Sequence, residues 1–350
     1  MSLRALVLSG GGAKGAYEAG VITSLWHAQP FDIVVGTSIG AINAALTAQN
    51  NISGLEAVWK GIAARNVIQP QPSVAHLEAF LDAFSDWQAL PPIAKASHIP
   101  RLTLLWMQVG SKTAFFSMLG AMDESPIEIL LKQYADYNAL RSTLIVTATD
   151  ISTRTPIAFY AFVGAASQKL PTFRTSVGVQ TEALSQLNYV GALEASAAIP
   201  GAFNPVQMNL GSAYPLFFVD GGVANNTPIA MAIAAGADDV TVVFLEPNSS
   251  PAPSPPPRNL IDVVYACYAV MQQKMLETDF KLAGLTNAAL ATPNMTPEML
   301  ARLSGKRKIG LSYVRPKSDL PISVLDFSDQ GKIDAAFAQG VADGKFPQPF

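Results

Sequence analysis

The stretch from Ile33 to Leu46 reads IVVGTSIGAINAAL, and it decides the fold. Its apolar beginning predicts a buried strand, and its Ala-rich end predicts a helix over Ala41 to Gln49. A strand that enters a helix through GTSIG is typical of a nucleophile elbow, in which Gly36 and Gly40 avoid clashes while the serine oxygen stays exposed. The alternative is an ordinary strand-to-helix turn that contains a serine. The pattern predicts Ser38 as a nucleophile.

A glycine-rich loop precedes this stretch, between a predicted strand from Leu3 to Leu8 and a predicted helix from Ala16 to Trp26. Backbone N–H groups in a loop at the beginning of a helix can stabilise an oxyanion. The lysine in this loop either adds positive charge at such a site or is a solvated side chain. The candidate oxyanion residues are Gly10, Gly11, Gly12, Lys14 and Gly15.

The same loop satisfies the dinucleotide-binding pattern G-x-G-x-x-G through Gly10, Gly12 and Gly15. That pattern requires an acidic residue at the end of the second strand, about 20 residues further on. Asp32 stands near that distance, but it begins the second strand, which continues into the GTSIG motif. A nicotinamide-binding oxidoreductase is therefore an alternative that the sequence disfavours.

A second apolar run, Leu216 to Val219, ends in Asp220-Gly221-Gly222. An acid at the carboxyl end of a strand belongs at the same sheet edge as the elbow, and partial desolvation there would make it basic enough to accept a hydroxyl proton. The alternative is a turn-forming aspartate that bonds its own backbone. No histidine follows His98, so the order serine, acid, histidine of an α/β-hydrolase is excluded. We interpret Asp220 as the base.

The alternation of strands and helices predicts a parallel sheet with crossover helices. Further strands are expected at Leu144–Ala148 and Val240–Leu245. Prolines recur through residues 57–138 and would interrupt a sheet there, which indicates helices and loops that cover it. We expect one domain over residues 1–350 with a cap inserted at about 57–138. One more helix face is predicted to be buried, and it consists of Leu260, Val264, Cys267, Met271 and Met275.

Composition restricts the class of protein. The net charge is −3, so no positive field argues for nucleic acid. A single cysteine excludes a disulfide within the chain, and no two of the three histidines have zinc-motif spacing, so we expect no metal. No apolar run reaches the roughly 18 residues of a membrane-spanning helix, and the N-terminal run is too short for a signal peptide. We expect a cytoplasmic protein, soluble or peripheral on membranes.

Four blocks in order are similar to those of patatin-like phospholipases: SGGGAKGAYEAGV from Ser9, GTSIGA from Gly36, EASAAIPGAFNPV from Glu194 and DGG from Asp220. The resemblance implies a three-layer α/β/α patatin-like fold with a central, mostly parallel sheet and a helical cap. It also implies a Ser38–Asp220 dyad without histidine and an oxyanion hole from the backbone of Gly11 and Gly12.

The activity implied by the resemblance is lipid acyl ester hydrolysis through a covalent acyl-enzyme, without a cofactor. The class includes phospholipase A, lysophospholipase and carboxylesterase, so the expected substrates are phospholipids, lysophospholipids or other acyl esters. An acyltransferase that uses the same acyl-enzyme and a non-catalytic lipid-binding relative stay open as alternatives.

The predicted cap carries a second hint about substrate. From Trp87 to Met122 there is no Asp or Glu, whereas Lys95, Arg101 and Lys112 are present among apolar residues and the aromatic side chains of Trp87, Trp106, Phe115 and Phe116. A basic and apolar segment of this kind can contact an anionic membrane surface and admit acyl chains. The alternative is that these residues pack the cap onto the sheet.

Overall fold

The computed structural model of the chain describes residues 2–28, 30–108, 120–173, 178–224, 228–248, 260–293 and 295–350. Three residues of the predicted cap, Lys112, Phe115 and Phe116, lie outside the described residues. The strands in the described part are, in chain order, β1 (Arg4–Leu8), β2 (Ile33–Thr37), β3 (Gln69–Pro70), β4 (Met122–Asp123), β5 (Thr143–Asp150), β6 (Thr155–Ala161), β7 (Gln180–Ala183), β8 (Val206–Met208), β9 (Leu216–Asp220), β10 (Asp239–Val243), β11 (Gly310–Val314) and β12 (Gln348–Pro349).

Ten of these described strands form a central sheet in the order β12-β11-β10-β1-β2-β5-β6-β7, with β9 paired to β5 and β8 paired to β9. The neighbours β11, β10, β1, β2 and β5 all run parallel. The antiparallel pairs are β5 with β6, β5 with β9, β8 with β9 and β11 with β12. Every strand predicted from the sequence is present in this sheet. Because the central strands are buried on both faces, they read as apolar runs and were easy to predict.

Helices cover both faces of the sheet. They are α1 (Gly15–Ala28), α2 (Ile39–Ala48), α3 (Ile52–Lys60), α4 (Pro72–Ala89), α5 (Pro92–Gln108), α6 (Ser125–Tyr134), α7 (Tyr189–Ala197), α8 (Ile229–Ala234), α9 (Leu260–Leu290), α10 (Pro297–Arg302) and α11 (Gln330–Asp343). Side chains of β1 alternate between the faces: Leu6 and Leu8 join the core with α1, α2 and α11, whereas Ala5 and Val7 join the core with α8 and α9. The predicted three-layer α/β/α architecture is confirmed.

Residues 57–138 add only the short strands β3 and β4 among their described residues, and these pair with each other rather than with the central sheet. The prediction of helices and loops is confirmed for this part. The helices α4 and α5 pack together, α6 packs against α7, and α3 packs against α1 and α2. The assignment of the whole segment to one cap, within one domain of residues 1–350, stays a prediction. No helix in the described part of the chain is both long and apolar enough to cross a membrane.

The prediction of which face of α9 is buried is wrong. Cys267 and Met271 are exposed, the latter at 41%, and the side chains of Leu260 and Val264 lie outside the description. The face that packs inward carries Tyr268, Gln272, Leu276 and Phe280, at steps of four residues. The reason is Phe280, whose ring lies 5.0 Å from that of Phe244. This contact sets the rotation of the helix and places one polar pair, Tyr268 and Gln272, on its inner side.

Candidate active site

The turn between β2 and α2 has the geometry of a strained elbow. Ser38 has φ 57° and ψ −130°, a conformation that non-glycine residues rarely adopt. A Cβ atom on Gly36 would lie 2.3 Å from the carbonyl oxygen of Gly40, and one on Gly40 would lie 2.7 Å from that of Ser9. Only glycine therefore fits at either position. Ser38 is 3% exposed and lines an apolar pocket.

Asp220 reaches Ser38 by an arrangement that the sequence did not predict. The strand β9 is antiparallel to β5 and occupies the position along β5 immediately beyond the end of β2. Thr147 of β5 pairs with Thr37, and the next residue, Ala148, pairs with Asp220. The carboxyl ends of β2 and β9 thus meet end to end, which places Asp220 beside Ser38. The Ser38 hydroxyl lies close enough to the carboxyl to act on its pKa.

The carboxyl of Asp220 is fully buried. Its Oδ1 accepts a hydrogen bond of 2.7 Å from the N–H of Gly222, and its Oδ2 forms no hydrogen bond of regular geometry with any described residue. Burial raises the pKa of Asp220 to about 6, against the lowering effects of the Ser38 hydroxyl, the Gly222 N–H and the Tyr268 hydroxyl. A carboxylate with this proton affinity is suited to accept and return a proton near neutral pH. Gly221 follows in the same turn and is buried.

The helix α7 and the residue that follows it contribute two supports that sequence reasoning missed. The N–H of Ser38 donates to Oγ of Ser196 at 2.9 Å, and the Ser196 hydroxyl donates to the Thr147 carbonyl at 2.6 Å. The N–H of Asp220 donates to the carbonyl of Ala198, also at 2.9 Å. Both supporting residues lie in the EASAAIPGAFNPV block. That block was recognised by resemblance alone, and only the fold shows that it holds both candidate residues.

The glycine loop lies next to the elbow. Gly12 has φ 57°, and the next N–H, that of Ala13, donates to the carbonyl of Val324 at 2.8 Å. The N–H groups of Gly11 and Gly12 form no hydrogen bond to another residue that the structure describes. Gly12 lines the pocket of Ser38, whereas Gly10 and Gly11 line a neighbouring pocket. Two backbone donors of this loop are therefore available for a ligand. Gly15, the last loop candidate, begins α1.

A buried polar network attaches the glycine loop to α2, and the sequence did not reveal it. Glu18 is fully buried and accepts from the N–H of Ser9 at 2.8 Å and from Nδ2 of Asn43 at 3.1 Å. Nδ2 of Asn43 also donates to the carbonyl of Gly15, and its Oδ1 accepts from Nε1 of Trp59. Burial raises the pKa of Glu18 to about 8, against the lowering effects of its hydrogen bonds to Asn43 and Ser9.

Lys14 points away from bulk solvent. Its ammonium forms an ion pair with Glu246, and its side chain is only 15% exposed. The solvated alternative is wrong, because the lysine is both covered and paired. The pair lines the neighbouring pocket, in which the guanidinium of Arg315 lies 3.8 Å from the ring centre of Phe244. This second pocket therefore carries charged side chains of both signs among apolar ones, with Glu277 as a further acid.

The pocket at Ser38 is almost entirely apolar and opens to solvent. The amide of Asn43 reaches its wall, but its hydrogen-bonding groups are occupied by the network above. Within the described residues, no three His, Cys, Asp or Glu side chains converge to hold a metal ion. The apolar lining consists of Ile39, Ile42, Val58, Trp59, Ile62, Val67, Ile68, Ile127, Leu130, Ala197, Ile199, Phe203, Leu325 and Phe327.

The family profile described as Patatin-like phospholipase matches residues 6–233. Because this match covers more than half of the chain, the protein belongs to the patatin-like phospholipase family. A curated relative, Lysophospholipase nte1 of Aspergillus terreus, is 56% identical over 46 residues, which are 13% of this chain and 3% of that protein.

Two solved structures are similar. VipD from Legionella pneumophila has a TM-score of 0.41 and 15% identity, and the match covers 98% of this chain and 66% of that one. ExoU, in its complex with SpcU from Pseudomonas aeruginosa, has a TM-score of 0.23 and 16% identity, with 86% and 56% of the two chains covered. The chain thus spans a small part of the curated relative and about two thirds or less of the solved ones.

Proposed function

We propose that this protein is a lipid acyl hydrolase, with Ser38 as nucleophile and Asp220 as general base. The observation that carries the proposal is the end-to-end meeting of β2 and β9 on β5, which sets a strained serine beside a buried carboxyl. A serine hydroxyl needs a neighbouring base to become nucleophilic. A carboxyl whose pKa is raised to about 6 by burial is a stronger base than a solvated one.

The reaction follows in two steps. Oγ of Ser38 attacks the ester carbonyl, its proton passes to Asp220, and the carbonyl oxygen becomes an oxyanion that accepts hydrogen bonds from the N–H groups of Gly11 and Gly12. The C–O bond to the alcohol then breaks, and Asp220 returns the proton to the departing oxygen. In the second step, water gives a proton to Asp220 and attacks the acyl carbon. The fatty acid leaves as Ser38 regains that proton.

The two pockets support a substrate with an apolar acyl chain and a polar remainder. The pocket at Ser38 exposes almost only hydrocarbon, so it suits a fatty acyl chain. The neighbouring pocket, lined by Gly10 and Gly11, contains the charged side chains of Lys14 and Arg315 beside apolar ones. Phospholipids, lysophospholipids and simpler carboxylic esters all fit these two pockets. We therefore propose carboxylic esters with an apolar acyl chain as the substrate class.

Peripheral membrane contact through α4 and α5 is part of the proposal. Rings of the two helices pack together, with Phe80 and Trp106 4.8 Å apart, whereas Ile99, Leu104 and Met107 of α5 are more than half exposed. Arg101 is exposed beside them. The rings of Phe80 and Trp106 therefore pack against each other while Trp106 stays 42% exposed, and the aliphatic side chains with the adjacent cation are available to enter an anionic lipid surface. A cytoplasmic location stays a prediction.

Two other functions use the same features. An acyltransferase would pass the acyl group of Ser38 to an alcohol or lysolipid, and product analysis with and without an added acceptor distinguishes it. A non-catalytic lipid-binding relative would bind vesicles without turnover. The hydrolase is preferred because nucleophile, base and free backbone donors occur together.

The test is hydrolysis of 4-nitrophenyl esters of graded acyl length by the wild type, Ser38→Ala and Asp220→Asn. We expect each variant to lose activity by at least about 10³-fold, because removal of either member of a nucleophile–base unit disables it. Ser304→Ala and Asp82→Asn, at exposed positions, are matched controls expected to keep full activity. Full activity in both Ser38→Ala and Asp220→Asn would overturn the proposal.

A further inference from the structure

Three buried polar atoms converge beside the candidate base. Oδ2 of Asp220, the hydroxyl oxygen of Tyr268 and Nε2 of Gln272 each lack a hydrogen bond of regular geometry to any described residue. The tyrosine and glutamine groups both lie close to Gly222. A Cβ atom added there would be 2.7 Å from the Tyr268 hydroxyl and 2.0 Å from Nε2 of Gln272. Gly222 itself donates to the other oxygen of Asp220. Buried polar atoms without partners are rare and costly, so this cluster needs an explanation.

The three groups are complementary in hydrogen bonding. Gln272 offers N–H donors, the Tyr268 hydroxyl is both donor and acceptor, and an ionised Asp220 accepts only. Small side-chain rotations would complete a chain in which the Gln272 amide donates to the tyrosine oxygen and the tyrosine hydroxyl donates to Oδ2. Tyr268 and Gln272 are four residues apart on the same face of α9.

The helix that presents this pair is firmly attached to the core. Leu276 and Phe280 continue the same face and are buried, and the Phe280 ring packs edge-on against those of Phe244 and Tyr313. Tyr268 and Gln272 are therefore held by a well-packed helix rather than by a loop. A rigid support is what precise placement of a reacting carboxyl requires.

We infer that Tyr268, held by Gln272, is a positioning residue for Asp220, donating its hydroxyl to Oδ2 while the carboxyl is ionised and releasing it when the carboxyl takes the proton of Ser38. The inference rests on the proposed function, since it assigns a partner to the proposed base. Nothing in the GTSIG or DGG motifs indicates this residue, which lies 48 positions after Asp220 in the chain.

The electrostatics agree with this role. Burial and the neighbouring Asp220 carboxyl raise the pKa of Tyr268, so its hydroxyl keeps its proton and acts as a donor. The groups that face Asp220 are the Ser38 hydroxyl from the elbow, the Gly222 N–H from its own turn and the Tyr268 hydroxyl from α9. Each of them favours the ionised carboxylate, and burial opposes them.

The test is the pH dependence of kcat/KM on a 4-nitrophenyl ester, with Tyr268→Phe beside the wild type. We expect the wild-type acid limb to fall near pH 6, where Asp220 gains its proton. Loss of a donor to the carboxylate raises its pKa, so the limb in Tyr268→Phe should move up by about 1 pH unit. A merely structural role would lower activity equally at every pH and leave the limb in place.

A second readout does not depend on ester turnover. The rate at which an alkyl fluorophosphonate labels Ser38, as fluoride leaves phosphorus, should show the same acid limb and the same upward shift. Gln272→Leu, which keeps Tyr268 but removes its amide donor, should shift the limb in the same direction by a smaller amount. Tyr214→Phe, at an 80% exposed tyrosine, is the matched control and should match the wild type.

The outcomes separate the two proposals. A wild type that labels at Ser38, with an acid limb that does not move in whichever of Tyr268→Phe and Gln272→Leu folds, overturns the inference alone. A wild type that neither hydrolyses esters nor labels at Ser38 contradicts the proposed function, and the inference falls with it. An upward shift in Tyr268→Phe with an unchanged Tyr214→Phe supports both.

Discussion

The turn that carries Ser38 and the turn that carries Asp220 end two strands at the same point of β5, yet they take their shape from different parts of the chain. The first is shaped mainly by glycines two residues away on either side. The second depends on Ala198, which follows α7 and holds the Asp220 backbone, and on α9, which faces its carboxyl. The strained conformation of Ser38 is therefore determined mainly by residues close to it in the sequence. The proton affinity of Asp220, in contrast, depends on residues that are distant in the sequence.

Among variants that keep both Ser38 and Asp220, the largest effect is expected from breaking the turn around Ser38. Gly36→Ala would place a Cβ atom 2.3 Å from the Gly40 carbonyl, so the turn must open. We expect a loss of about 1–3 kcal/mol in the free energy of unfolding, and about 100-fold lower ester hydrolysis because the serine is displaced. Urea unfolding and steady-state kinetics measure the two effects.

Two further alanine variants test the comparison between the Ser38 turn and the Asp220 turn. Gly221→Ala meets the Thr147 carbonyl at 2.3 Å and should be similarly damaging on the side of the base. Gly61→Ala meets nothing closer than 3.5 Å and should behave as the wild type. Normal activity in Gly36→Ala would show that the elbow does not depend on its glycines.

Glu18→Gln examines the network behind the glycine loop. The folded-state pKa of Glu18, about 8, lies above its ordinary value of 4.5, so folding favours the neutral form. Its contribution to stability is complete below about pH 4.5 and is lost as the pH rises to about 8. Since glutamine does not ionise, the free energy of unfolding of the wild type minus that of Glu18→Gln should fall by a few kcal/mol across this window. Urea unfolding at several pH values measures the difference.

Glu298→Gln supplies the control for this profile, because the side chain of Glu298 is 75% exposed. We expect the difference between the wild type and Glu298→Gln to stay nearly constant with pH. A constant difference for Glu18→Gln as well would mean that Glu18 has an ordinary proton affinity in the folded protein.

Ser196→Ala tests how far the local turn depends on a distant helix. The change removes the acceptor for the Ser38 N–H and the donor to the Thr147 carbonyl, so we expect a loss of about 1–3 kcal/mol in stability. A roughly tenfold lower kcat should accompany it if the serine shifts slightly. Ser142→Ala, which removes a buried hydroxyl that donates to the Phe31 carbonyl, should lose similar stability without losing activity. Equal activities in the two variants would make the elbow independent of α7.

The smallest effect on turnover is expected at α5. Leu104→Ser with Met107→Ser removes two exposed apolar side chains. Binding to anionic phospholipid vesicles should weaken about tenfold or more, because each side chain contributes about 1–3 kcal/mol on burial, while hydrolysis of a short soluble ester should not change. Leu187→Ser, at a 98% exposed leucine between β7 and α7, is the control. Unaltered vesicle binding in the double variant would leave α5 without a membrane role.

The sequence predicted the central strands and the elbow well because both have short-range signatures. Buried parallel strands are continuous apolar runs, and a strained turn needs glycine at defined positions. It failed on α9, where the chosen face put Cys267 and Met271 inward although both are exposed. A periodic apolar pattern gives the period of a helix, but its rotation depends on partners such as Phe244, 36 residues before Phe280.

The sequence by itself determined the layered α/β architecture, the serine on its glycine-flanked turn and the acid before two glycines. These features depend on residues that are adjacent in the chain. Only the tertiary structure decided that β9 runs antiparallel and meets β2 end to end, and that Ser196, Tyr268 and Gln272 surround the pair. The pKa of Asp220 depends on how much water the packed helices exclude and which hydroxyls they deliver, and neither is encoded within a single motif.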